Sequence, residues 1–319
     1  MAARRRAILA ATLGSPWRAR GPCSLVPMAL TPRRLLWLAG LCVGCFLLLL
    51  VVAYGSSRAR WLDATALQGF IGLQRPRVDR AAGFIARFGG PGAVALIGLV
   101  LVAVAVARGR PRLGLGVIAL IGATSISSQV LKALLAYPRY DGPISGQHVS
   151  PAAFPSGHAT AAMTLACACV VVSPARLRPL AAFVGAGFAL AVSFAVIALG
   201  WHFPSDVVGG FLLACGWTLV IAAGLQAASA RWPERTVRTR AAATLRAGTD
   251  WIAALSLAAL ALGGILVVGA LAAIVFLTRL PDLLGYADEH TAFFVVAAGI
   301  AASAGVLLAA VTAALRRRG

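Results

Sequence analysis

The sequence predicts an all-α polytopic membrane protein, and three observations carry that expectation. Of 319 residues, 60% are hydrophobic and only 12% are charged, about half the charged share of a soluble domain. The mean hydropathy is +0.88. The apolar residues also gather into runs of the length a helix needs to cross a hydrocarbon core of about 30 Å. The formal net charge of +20 would ordinarily suggest nucleic acid or an anionic surface. Beside such runs it is explained by the bias of basic residues toward cytoplasmic loops, so the expected partner is the bilayer and not nucleic acid.

Eight apolar spans are read, at 35–54, 91–107, 113–136, 157–173, 180–200, 207–226, 252–277 and 291–315. With the N-terminus inside, the inner segments hold 20 basic residues and the outer ones nine. That asymmetry predicts cytoplasmic N- and C-termini, although six of the outer arginines crowd into residues 56–90. This stretch is too polar to span and reads as short helices lying at the interface, with an ordinary solvated loop as the other reading.

Residues 1–34 form a basic tail, rich in Arg and Pro, with no expected packed fold. An uncleaved anchor is favoured over a cleaved signal peptide because a full-length span follows from Leu35, and Met28 is a second candidate start. The expected domains are then the tail 1–34, a six-helix core 35–226, a basic linker 227–250, and a two-helix hairpin with a basic tail, 251–319. Five of the six cysteines (Cys42, Cys45, Cys167, Cys169 and Cys215) lie inside spans and read as small apolar filler rather than metal ligands. There is no internal repeat, dinucleotide fingerprint or phosphate-binding P-loop.

Polar groups are scarce, so their placement is informative. Lys132, Arg139, Asp141, Asp206 and three of the four histidines (His148, His158 and His202) lie near the outer ends of spans three to six. Ionisable groups gathered on one face of a membrane protein point to a site. In "FPSGHAT", 154–160, Pro155 suits a helix opening. The free N–H groups around Ser156, Gly157 and His158 would favour phosphate, and His158 is placed to give a proton to a leaving oxygen. The same residues also make a plain helix start. In "GWHFPSDVVGG", 200–210, Asp206 follows His202 by four residues and can hold its tautomer, leaving the imidazole as nucleophile or base. Alternatively, Asp206 caps the helix and His202 is a bystander. In "KALLAYPRY", 132–140, the only lysine of the chain precedes Arg139 by seven residues. A mobile ammonium and a planar guanidinium suit different oxygens of one phosphoryl group, while snorkelling of both to the headgroups is the other reading.

Together the three segments resemble the type 2 phosphatidic acid phosphatase (PAP2) superfamily, whose pattern is Lys-x6-Arg-Pro, Pro-Ser-Gly-His and Ser-Arg-x5-His-x3-Asp. Here Lys132 and Arg139 stand in the first block with Tyr140 in place of proline. Pro155-Ser156-Gly157-His158 completes the second, and His202-x3-Asp206 keeps the end of the third. The resemblance covers roughly residues 35–226. It implies a six-helix transmembrane core, and the last two apolar spans lie outside it. It also implies a phosphatase in which His202 attacks phosphorus and becomes a phosphohistidine, Asp206 orients it, and His158 protonates the leaving group and then activates water. Lys132, Arg139, Ser156 and the Gly157 N–H would hold the phosphate oxygens, with no metal or other cofactor.

The third block departs from the pattern. Val196 stands where the superfamily has arginine, and Ala195 where it has serine. Losing such a donor can cost roughly 10²–10³ in rate, so a catalytically silent protein that binds or transports phosphorylated lipids is the alternative function, and an unrelated channel or carrier a third. An arginine from 56–90 is a candidate replacement. The implied substrate class is a lipid or polyprenyl phosphate, such as phosphatidic acid, phosphatidylglycerol phosphate or undecaprenyl diphosphate, met at the extracytoplasmic face. The Ala- and Arg-rich composition fits a bacterial inner membrane.

Overall fold

The computed structural model describes residues 30–139, 146, 148–232, 285–286 and 288–315. Most of the basic tail, Tyr140 and Asp141, residues 233–250 of the 227–250 linker, the span at 252–277 and the basic C-terminal tail lie outside the described residues. Among the described residues nine α-helices are found: α1 (Pro32–Gly55), α2 (Ser57–Gly72), α3 (Pro76–Ala86), α4 (Pro91–Ala107), α5 (Pro111–Leu134), α6 (Gly157–Val172), α7 (Arg178–Ala198), α8 (Pro204–Arg231) and α9 (Thr291–Ala314). A 3-10 turn, Arg87–Gly89, follows α3. Seven of the eight sequence-read spans coincide with α1 and α4 to α9, to within five residues at either end.

Proline explains most of the starts. It stands in the first two positions of α1, α3, α4, α5, α7 and α8, where its missing N–H has no helical partner to lose. Hydroxyl caps start the other two helices near the site. Ser56 Oγ accepts from the Ala59 N–H at 3.3 Å, and Ser156 Oγ from the Ala159 N–H at 3.3 Å. Each satisfies a first-turn donor that the helix leaves open. The stretch 56–90 is helical as expected: α2, then α3 with its 3-10 turn, which meets α4 at a 50° bend.

The centre of the bundle is α6 and α8, buried through Ala162, Met163 and Cys167 of one and Phe211, Ala214 and Cys215 of the other. The Cys167 and Cys215 sulfurs are 3.9 Å apart, and both thiols are free, as their reading as filler requires. Around this pair, α1 packs on α8 and α7 on α6, while α9 packs across α7, α8 and α2. Ile300, Ala304 and Leu308 of α9 enter the main core, so the last helix is integral to the bundle wall. Leu36, Trp37, Leu41, Leu48, Leu96, Leu99 and Val306 point outward and exposed. Such a belt suits hydrocarbon, where only helices or closed barrels satisfy their own backbone.

The two ends of the bundle differ in chemistry. At one end Arg108 donates to the Val172 carbonyl at 2.6 Å, Arg112 to that of Trp232 and Arg178 to that of Leu315. These are carbonyls at the C-terminal ends of α6, α8 and α9, which lack helical partners and favour a cation. The other end carries the C-termini of α5 and α7 and the N-termini of α6 and α8, and with them every candidate site residue.

Candidate active site

The site end is assembled by two helix starts pressed together. The Ser156 N–H donates to the Asp206 carbonyl at 2.9 Å, joining the first turn of α6 to that of α8. A Cβ on Gly210 would stand 2.8 Å from Thr160 Oγ1, 2.9 Å from its backbone nitrogen and 3.0 Å from the Ser156 oxygen, so only glycine permits this approach. Both helix N-termini, with their positive dipole ends, therefore face one region.

Asp206 is fully buried in the first turn of α8. Its Oδ2 accepts from the Phe203 N–H at 2.8 Å and faces His202 Nδ1 at 3.5 Å. His202 Nδ1 has no closer hydrogen-bond partner among the described residues. The same carboxylate thus caps α8 and faces the His202 imidazole.

Arg139 is bound more tightly than its place in a loop suggests. Its side chain is 4% exposed and forms ion pairs with Asp206 and, at 3.3 Å, with Asp63. It also donates to Ser205 Oγ at 2.8 Å. Its guanidinium lies 4.2 Å from the centre of the Phe203 ring and 5.2 Å from that of Tyr54, within cation–π range. Asp63 comes from α2; in 56–90 the sequence reading singled out only the arginines. It accepts from the Ser205 N–H at 3.1 Å and from the Ser205 hydroxyl. Burial pushes the Asp63 carboxyl up to about 6, while Arg139 and the Ser205 hydrogen bonds pull the other way.

Lys132 lies in the last turn of α5, and its ammonium sits 3.4 Å from where a Cβ on Gly157 would be. It therefore reaches the N-terminus of α6, as a phosphate ligand would. One turn earlier, the buried Ser128 hydroxyl lies near the same point and has no hydrogen-bond partner among the described residues. His158, in the first turn of α6, packs at 5.6 Å between ring centres on Trp201. It borders a cavity of about 710 Å³ that it shares with Trp201 and with residues of α3, the 3-10 turn and the start of α4. Lys132, Arg139, Ser156, Gly157, His202 and Asp206 are not among the lining residues of that cavity.

All seven sequence-read site residues, Lys132, Arg139, Ser156, Gly157, His158, His202 and Asp206, thus gather at one end of the bundle. His148 is exposed in the loop before α6. Asp63, Ser205 and Ser128 were missed. Asp63 had one signal: it is one of only nine acidic residues in the chain and one of two in 56–90.

The family model of the PAP2 superfamily matches residues 93–229. That segment runs from α4 through α8 and contains every candidate residue named above except Asp63. The crystal structure of a transmembrane PAP2-type phosphatidylglycerolphosphate phosphatase from Bacillus subtilis matches with a TM-score of 0.50 at 21% identity, over 63% of this chain and 98% of that one. At that identity the likeness is one of fold. No curated protein matches the chain.

Proposed function

We propose that this chain is an integral membrane phosphatase that hydrolyses a lipid or polyprenyl phosphate or diphosphate through a phosphohistidine on His202. The observation that carries this reading is the meeting, at one end of an apolar helical bundle, of an Asp-paired histidine, a second histidine, a lysine and two helix N-termini. The PAP2 segment and the shared fold of a lipid phosphatase support the same class of reaction. The substrate class follows from the position of the site among outward-facing apolar helices, where a lipid headgroup can meet it.

In this mechanism the Asp206 carboxylate holds the proton on Nδ1 of His202, which leaves the lone pair on Nε2 for attack on phosphorus. The P–O bond to the lipid breaks as the P–N bond forms, and His158 gives its proton to the departing oxygen. Neutral His158 then takes a proton from water, whose oxygen attacks phosphorus and releases phosphate and His202. Lys132, Ser156 and the Gly157 N–H hold the phosphate oxygens. Arg139 spends three of its five N–H donors on Asp63, Ser205 and Asp206, which leaves two for a phosphate oxygen.

The arginines tied to helix ends at the opposite end of the bundle agree with a cytoplasmic placement there. The N- and C-termini are then inside, and the site faces the extracytoplasmic side of the cell membrane. The division into basic tail, six-helix core, linker and C-terminal pair is proposed with the same orientation.

A second reading, a protein that binds phosphorylated lipids without hydrolysing them, is favoured by Val196, which is fully buried where the superfamily keeps a cation. Phosphate release decides between the two. Purified protein is offered phosphatidic acid, phosphatidylglycerol phosphate and undecaprenyl diphosphate in mixed micelles. The phosphatase reading expects release from at least one, abolished by His202→Ala. Binding without release from any, by folded protein, would establish the second reading.

A further inference from the structure

Val196 packs with Ala195 against Ala82 and Ala86 of α3, so a helix covers the place from which the superfamily arginine would reach the phosphate. The same helix brings its own cations. Its 3-10 turn runs directly onto the second-block histidine, since a Cβ on Gly89 would stand 3.1 Å from His158 Cβ and 3.2 Å from its Cα. Arg80 and Arg87 then line the cavity of about 710 Å³ together with His158 and Trp201. Among the described residues no acidic side chain lines the cavity.

The two arginines are not equivalent. Arg80 Nε donates to the Pro76 carbonyl at 3.1 Å within its own helix. The exposed Arg87 side chain has no hydrogen bond or ion pair among the described residues.

We propose that Arg87 replaces the arginine absent at Val196 and grips the phosphoryl group from the His158 side of the site. The α3 segment thus supplies from outside the motif the cation that the motif has lost. This inference rests on the phosphatase reading for its reaction but not for its anion site. A planar guanidinium binds two oxygens at once, and near a leaving oxygen it stabilises charge that grows in the transition state. Lys132 and Arg87 would then balance a dianionic phosphoryl group from two directions, without help from position 196.

The test uses full-length protein in detergent and two readouts: the affinity for orthovanadate, which needs no turnover, and phosphate release from dioctanoyl phosphatidic acid. Arg87→Ala should weaken vanadate binding and lower kcat/KM by about 10²-fold. Arg87→Lys should recover part of the loss, because it restores charge without the fork. Arg80→Ala should change either readout by less than about tenfold. Wild-type vanadate affinity in Arg87→Ala overturns the proposal, as does a larger loss in Arg80→Ala than in Arg87→Ala, or a wild type that binds no vanadate. If wild type binds vanadate, Arg87→Ala does not, and neither releases phosphate, the anion site stands and the phosphatase reading falls.

Discussion

Replacing Asp63 by asparagine changes one charge in the buried cluster of Asp63, Arg139, Asp206 and Ser205, and the structure gives opposing effects to weigh. The loss is the ion pair to Arg139 at 3.3 Å, and a hydrogen bond to a charged group is worth about 1.5–3 kcal/mol. That loss is cushioned, because Arg139 keeps its pair with Asp206 and the asparagine carbonyl can still accept from the Ser205 N–H. The gain is relief of desolvation. Two carboxylates share one guanidinium, and burial raises the Asp63 carboxyl from 3.8 to about 6 even with Arg139 beside it. A rise of roughly two units corresponds to about 3 kcal/mol that ionised Asp63 costs the folded state relative to its protonated form. The folded protein binds this proton more tightly than the unfolded chain does. Its stabilising effect is therefore complete below about pH 4 and lost as pH rises through about 6.

Asp63→Asn should remove that dependence. At pH 8 its unfolding midpoint should exceed the wild type by about 6–12 °C, at roughly 2–4 °C per kcal/mol for a bundle of this size. At pH 4 the two should coincide. Phosphate release should nonetheless fall about tenfold, the equivalent of one lost hydrogen bond of about 1.4 kcal/mol, because Arg139 is then positioned from one side only. Thermal unfolding in detergent from pH 4 to 8, followed by circular dichroism, reads the first part. Parallel pH profiles, or a variant less stable than wild type at pH 8, would refute the reasoning.

Three further predictions test neighbouring parts of the account. Lys132→Ala should lower phosphate release by about 10²–10³-fold with the unfolding midpoint little changed; near wild-type turnover would remove Lys132 from the site. Gly210→Ala should destabilise by about 1–3 kcal/mol, because its Cβ meets the backbone of Thr160 and Ser156 within 3.0 Å; an unchanged midpoint would contradict the close contact of α6 and α8. Val196→Arg should lower stability, since it drives a charged side chain into the packing of Val196 against Ala82 and Ala86, and it should not raise phosphate release; a gain of activity would mean that position 196 is open to the phosphate after all.

The spans were legible because lipid leaves a plain signature: long apolar runs, opened by proline and bounded by arginine. The gathering of Lys132, His158, His202 and Asp206 at one end was legible for a related reason, as polar residues in such runs are few and their spacing follows helix geometry. Asp63 was not legible as part of the site. Its role depends on α2 folding back against the start of α8, a long-range contact that no local periodicity in 56–90 encodes. The second partner of Arg139 was hidden in the same way. The spacing from Lys132 suggested a phosphate ligand, whereas its ion pairs show a guanidinium that also braces two carboxylates. The sequence also showed that position 196 lacks an arginine, but not that α3 covers it, because the pairing of Ala82 and Ala86 with Val196 is a matter of packing between helices far apart in the chain.

The central claim is covalent chemistry at His202, and trapping the intermediate tests it most directly. Purified protein is mixed with lipid phosphate labelled with ³²P, quenched in alkali within the first turnover, and separated from free label. The account predicts protein-bound label that survives alkali, is released by acid, and is absent from His202→Ala. Turnover with no bound label, or label that persists in His202→Ala, would contradict it.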